Sequence, residues 1–133
     1  MDNKLVLIVD DEVSIAEAYA LWLRDAGFEP QMLHAGGAAQ ARLREIVPAL
    51  VILDLNLPRV SGRELLDQIR ADERLRQTHV IITSGDTQTA ALVVEEGKAD
   101  LVLIKPISRE QLRDFALRIG QPLPPPPAAP AKP

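Results

Sequence analysis

Four short apolar runs constrain this chain more than any other feature: Leu5-Val6-Leu7-Ile8-Val9, Leu50-Val51-Ile52-Leu53, Val80-Ile81-Ile82-Thr83 and Leu101-Val102-Leu103-Ile104. Unbroken Val, Ile and Leu, without polar alternation, is what a strand needs when both its faces are covered, and such strands belong to parallel sheets. The intervening stretches are long enough for crossover helices. Each run stops at residues able to do chemistry: Asp10 and Asp11, Asp54, Ser84, and Lys105. In an open parallel sheet the carboxyl ends of the strands line one crevice, where ligands bind. The placement predicts that three carboxylates, a hydroxyl and an ammonium converge there.

Helical periodicity fills the gaps. Ile15, Ala18, Tyr19, Trp22 and Ala26 recur at three- and four-residue steps before Gly27, which predicts one apolar face, with Trp22 in the core, and a glycine stop. Phe28 to His34 is less apolar and holds Pro30, as an edge strand would. A second helix is expected from about Gly37 to Val47, ending before Pro48. Ser61 with Glu64 forms a capping box whose staple is Val60 and Leu65, and Ser108 with Gln111 repeats it with Ile107 and Leu112. A shorter helix is expected near Thr87 to Glu96. His34 has no metal-ligand partner at a useful spacing and reads as structural or solvated.

Composition narrows the function classes. The chain has no cysteine, which excludes disulfides and thiolate metal sites and is compatible with a reducing compartment. No apolar run could span a bilayer, and the first residues lead straight into a strand, so a cytoplasmic protein without membrane attachment is expected. A net charge of −4 and no segment of helix-turn-helix size after the fifth strand argue against nucleic-acid binding by this chain.

Taken in order and spacing, Asp10-Asp11-Glu12, Val51-Ile52-Leu53-Asp54-Leu55-Asn56-Leu57-Pro58, Ser84-Gly85 and Lys105-Pro106 resemble the receiver domain of bacterial two-component response regulators, chemotaxis receivers among them. The match covers roughly Lys4 to Gly120. It implies a flavodoxin-like, doubly wound α/β fold, a three-layer sandwich with five parallel strands in the order 2-1-3-4-5. It implies that Asp54 is the phosphoacceptor and that Mg²⁺ is held by Asp10, Asp11, Asp54 and the backbone carbonyl of Asn56. Lys105 and Ser84 would contact the phosphoryl group. Ser84 is preferred to the adjacent Thr83 because its separation from Asp54 and the small residue after it match the family pattern.

The Lys-Pro bond is commonly cis in receivers. The implied partners are a sensor histidine kinase or phosphotransfer protein and a downstream protein target, in a phosphorelay whose only catalysis is self-phosphorylation and self-dephosphorylation. Short polar residues at Asn56 and Asp86, two beyond the acceptor and two beyond the hydroxyl, predict a short-lived phosphate, although Asp86 also suits a helix cap. Many receivers carry Tyr or Phe where this chain has Val102, and Gly97 stands one residue earlier than usual, so any switch is expected in the loop after Ser84 and the following helix.

Two other readings are open. Haloacid dehalogenase-type phosphohydrolases also use an aspartate nucleophile with Mg²⁺, but they carry an acid two residues downstream, where this chain has Asn56; without it a general acid and base for turnover is missing. A scaffold that is never phosphorylated would keep the same fold. Residues 1–120 form the expected domain. Residues 121–133 hold seven prolines, a composition that favours polyproline II and packs no core. This tail reads as a ligand for a proline-recognising module, a linker, or a disordered end.

Overall fold

The computed structural model of the chain describes residues 3–119, so the proline-rich tail lies outside the described residues. Five strands alternate with five helices: β1 Leu5–Val9, α1 Val13–Asp25, β2 Glu29–Leu33, α2 Gly36–Arg42, β3 Leu50–Asp54, α3 Gly62–Ala71, β4 His79–Ser84, α4 Thr87–Glu96, β5 Leu101–Ile104 and α5 Arg109–Ile119, with a 3-10 turn at Glu73–Leu75. The strands form one parallel sheet in the order β2-β1-β3-β4-β5. The register pairs Val9 with Leu33 and Leu53, Asp54 with Thr83, and Ser84 with Ile104, so the polar residues ending the strands arrive at one edge.

Alternation along each strand decides which layer each side chain enters. Leu7, Val9, Val51, Leu53, Val80 and Ile82 pack toward α2, α3 and α4 with Ala39, Leu66, Ile69 and Val93. Val6, Ile8, Leu50, Ile52, Ile81 and Leu103 pack toward α1 and α5 with Ala16, Leu23, Leu112 and Ala116. Continuing that alternation puts Asp10, Asp54, Thr83 and Lys105 on the α1/α5 side and turns Ser84 to the other.

The helix termini follow the capping chemistry. Ser61 Oγ accepts the Glu64 N–H at 3.2 Å, and at α5 both halves of the box form, with Ser108 Oγ accepting from the Gln111 N–H and Gln111 Oε1 from the Ser108 N–H. Asp86 caps α4, accepting from the Gln88 N–H at 3.0 Å and the Thr89 hydroxyl at 2.6 Å, and Gly97 ends it in the left-handed region at φ 67°. The glycine that sits one residue early is thus the helix stop, after which Ala99 packs on the core.

Three expectations need correction. α1 buries Ala16, Tyr19, Ala20 and Leu23, while Ile15 and Trp22 flank the core partly exposed: the two alanines let the helix lie close to the sheet, and a large ring fits beside that contact rather than under it. α2 ends at Arg42, not Val47: Arg74 reaches back to donate to the Leu43 carbonyl, which a helix to Val47 would have used internally, and to the Ile46 carbonyl beyond it. β5 lies at a sheet edge, as the expected order places it, but it is not buried on both faces as its unbroken apolar run predicts, and Ile104 is 39% exposed. Pro30 sits on the opposite edge in β2, as expected.

Candidate functional site

Asp10 follows β1 and takes a fixed pose from three neighbours. Its N–H donates to the Leu33 carbonyl at 3.1 Å, its Oδ1 accepts the Glu12 N–H at 2.9 Å, and its carbonyl lies 3.1 Å from His34 Nδ1. His34 is thereby structural and exposed, as expected. Asp54 ends β3 with its Oδ1 accepting the Asn56 N–H at 3.0 Å. Gly62, the first residue of α3, packs beneath the Asp54 and Leu55 backbone so closely that an added Cβ would stand 2.7 Å from Leu55 Cα. A side chain there would push on the strand end that carries Asp54.

Lys105 closes the site from β5. Its Nζ donates to Asp10 Oδ2 at 3.0 Å and Asp54 Oδ2 at 3.1 Å. Its backbone N–H donates to the Ser84 carbonyl at 2.8 Å, and the Lys105-Pro106 peptide is cis, as the resemblance implies. The Lys105 side chain is 18% exposed and its two partners are nearly sealed, so these contacts lie in a medium that strengthens charge attraction. Burial raises the Asp10 pKa above the ordinary 3.8 despite hydrogen bonds from Glu12 and Lys105. Burial also pulls Lys105 downward, but the hydrogen bond to Asp10 and the charges of Asp54 and Asp10 outweigh it and hold the ammonium above its usual 10.5.

Carboxylate oxygens of Asp10, Asp11 and Asp54 all lie within 4.8 Å of one another, with Asp11 exposed to solvent. An all-oxygen donor set with one side open suits a hard divalent cation that keeps part of its water shell, as Mg²⁺ does. Three carboxylates facing one ammonium also leave a formal excess of negative charge that a divalent cation would cancel.

Ser84 is buried at the end of β4 but does not touch the carboxylates. Its Oγ donates to the Asp86 carbonyl at 3.1 Å and accepts the Asp86 N–H at 3.0 Å, which turns it into the β4–α4 loop. Thr83 is equally buried on the Asp54 side of the sheet, and its Oγ1 has no hydrogen-bond partner. The hydrogen bonds that pull Asp86 pKa below its ordinary value come from Thr89 and Gln88, so its carboxylate serves the α4 cap.

A doubly wound sheet with an acidic crevice and a lysine bridging two aspartates at its carboxyl edge defines an aspartate-centred signalling domain. The chain belongs to the response regulator receiver domain family, whose model matches residues 6–116. It is 33% identical over 108 residues to the DNA-binding response regulator MtrA of Mycobacterium tuberculosis, a match covering 80% of this chain and 46% of that protein. It is 37% identical over 107 residues to the sensory transduction protein RegX3 of Mycobacterium bovis, with the same coverages. The chain spans about half the length of the curated relatives it matches.

Among solved structures, the signal receiver domain of a LuxO repressor protein from Vibrio parahaemolyticus superposes with a TM-score of 0.77 at 31% identity, covering 90% of this chain and 91% of that one. The response regulator TrrA of Thermotoga maritima, solved with Mg²⁺ and BeF, gives a TM-score of 0.78 at 25% identity over 87% of this chain and 98% of its own. The flavodoxin-like fold and strand order expected from the sequence are those observed. Among the described residues no helix is long and apolar enough to cross a membrane.

Proposed function

We propose that Asp54 accepts a phosphoryl group from a phosphohistidine on a sensor kinase or phosphotransfer protein. The observation that carries this reading is the Lys105 ammonium seated between Asp10 and Asp54 beside the three-carboxylate cluster. An Asp54 oxygen attacks phosphorus in line; the phosphorus–nitrogen bond breaks as the phosphorus–oxygen bond forms, and the imidazole leaves with the bonding pair. Two anions cannot approach without positive charge already in place. Lys105 supplies part of it and can pass from Asp54 to a phosphate oxygen, because its stem is flexible and its ammonium has three donors. Asp10, Asp11, Asp54 and the Asn56 carbonyl would hold Mg²⁺, which when bound neutralises the remaining charge.

Ser84 can reach the phosphate only by releasing Asp86, so its hydroxyl exchanges a loop bond for a phosphoryl bond and pulls on the start of α4. That movement is the signal delivered to a downstream protein. The acyl phosphate is short-lived, because the small Asn56 leaves the face of Asp54 open to water. The test is intact mass after incubation with a small-molecule acyl-phosphate donor and Mg²⁺. One added phosphate is expected, absent in Asp54→Ala and in excess chelator. Full labelling under either condition overturns the assignment, and no labelling by any donor turns the reading toward a scaffold.

A further inference from the structure

α4 is the element that the switch proposed above moves, and packing holds it loosely. It buries just Ala90 and Val93, while Leu92 and Val94 stand exposed. Its last turn carries Glu95 and Glu96 and no base, so these carboxylates oppose the negative end of the helix dipole. α3 beside it is the contrast, with Leu65, Leu66 and Ile69 fully buried. A pull on the start of α4 would run through its far end into β5 unless something stops it there.

An ionic ladder stands at that end. Arg63, Asp67 and Arg70 share one stripe of α3, at steps of four and three residues. In the same order they pair with Glu96, Lys98 and Asp100. The last rung is the firmest. The Arg70 guanidinium donates from Nε to the Lys98 carbonyl at 2.6 Å, from Nη1 to the Thr78 carbonyl at 3.0 Å and from Nη2 to Asp100 Oδ2 at 3.1 Å. Asp100 is in turn fastened to β4: its Oδ2 accepts the Val80 N–H at 2.7 Å, and its own N–H donates to the Val80 carbonyl at 2.9 Å. The Arg70 side chain is 24% exposed, against 44% and 53% for Lys98 and Asp67, so its bonds are the least screened by solvent. Glu96 is the last residue of α4, whereas Lys98 and Asp100 lie beyond Gly97, whose left-handed φ of 67° ends the helix. The second and third rungs therefore hold the turn and not the helix.

We propose that this ladder is an anchor that stops the phosphorylation-driven movement of α4 at Gly97 and keeps β5 still. The proposal rests on Asp54 and Ser84 acting as described above. α4 then tilts about a fixed end: its exposed Leu92 and Val94 are redirected while Val102 keeps its contacts with the core.

Two full-length variants test it. Arg70→Lys keeps the charge but cannot make the three bonds at once, and Arg63→Gln with Asp67→Asn removes the other two rungs while leaving Arg70 in place. Without any ligand, amide hydrogen exchange at residues 100–103 should be about tenfold or more faster in Arg70→Lys and about two- to fivefold faster in the double variant, with β1 and β3 unchanged. With Mg²⁺ and beryllofluoride, amide shifts should end at Gly97 in the unaltered chain and continue through residues 98–104 in Arg70→Lys. Unaltered exchange at residues 100–103 overturns the anchor, and so does a rise shared equally by β1 and β3, which would make the arginine a support of global stability alone. A shift pattern in Arg70→Lys that still ends at Gly97 overturns it as well. If neither protein responds to beryllofluoride, the Asp54 reading and the anchor's part in switching fall together, whereas failure of the anchor alone leaves the response of the unaltered chain intact.

Discussion

Replacing Thr83 by valine should make this protein more stable. The Thr83 hydroxyl is fully buried with no partner, on the same side of the sheet as Asp54, and follows the apolar Val80-Ile81-Ile82 of β4. An unpaired buried hydroxyl costs about 1–3 kcal/mol in proteins. Valine keeps the β-branched shape, adds apolar surface and has no group to desolvate, so Thr83→Val should gain about 1–2 kcal/mol. With a urea slope of about 2 kcal/mol/M for a domain of this size, the unfolding midpoint should rise by about 0.5–1 M. Phosphate labelling should survive in Thr83→Val and fall sharply in Ser84→Ala, because only the second hydroxyl is proposed to serve the phosphoryl group. A lowered midpoint in Thr83→Val would mean that the hydroxyl is satisfied in solution. Lost labelling there with full labelling in Ser84→Ala would refute the division of roles.

Gly62→Ala should destabilise by about 1–3 kcal/mol or more, since the new Cβ meets strand backbone that cannot step aside; Gly37→Ala, with open space around it, should be neutral or stabilising by up to about 1 kcal/mol. Equal urea midpoints for the two variants would show that the backbone contact is not what Gly62 provides. Because the folded-state pKa of Asp10 is raised, its contribution to metal-free stability is fully present below the ordinary 3.8 and is lost as pH rises through the folded value. The neutral isostere Asp10→Asn should therefore be the more stable metal-free protein at neutral pH, with the gap closing on acidification and narrowing when Mg²⁺ is added; a less stable variant at pH 7 contradicts the sign. Asn56→Leu should slow loss of the phosphate, and unchanged decay by intact mass would remove Asn56 from control of the hydrolytic water. Amide shifts induced by an acyl-phosphate mimic should centre on residues 85–96 rather than on Val102, whose β-branched side chain has a single stiff torsion and packs against the core; the reverse pattern would place the switch in β5.

The strands and the site were legible for one shared reason. A strand buried on both faces must be apolar along its length, so the first polar residue marks its end, and strand ends in a parallel sheet are also the site. The same rule overstated the burial of β5, because Leu101-Val102-Leu103-Ile104 is as apolar as a central strand although Ile104 is exposed. Size misled in α1: the reading favoured Trp22, while contact with the sheet is made through Ala16 and Ala20, whose value lies in being small. The early end of α2 could not be read locally, since the Leu43 carbonyl just past it is satisfied by Arg74 from 31 residues away. Arg70 likewise ties β4 and the α4–β5 turn together by donating to the Thr78 and Lys98 carbonyls, and nothing in its immediate neighbours announces that role. Ser84 was correctly placed at a strand end, but strand alternation rather than position decides that its hydroxyl faces the loop.

Lys105 joins Asp10 across 95 residues and Asp54 across 51. No fragment ending before β5 contains the bridge, and no sheet lacking β3, β4 or β5 brings its members together, so the charged centre is a product of long-range strand pairing rather than a local motif. Parallel pairing of distant strands is slow to form, and during that interval a nascent or damaged chain has three carboxylates without their lysine. The proposed competence to carry a phosphoryl group would thus report that β1, β3, β4 and β5 are paired, and a copy without that pairing would stay silent instead of sending a false message.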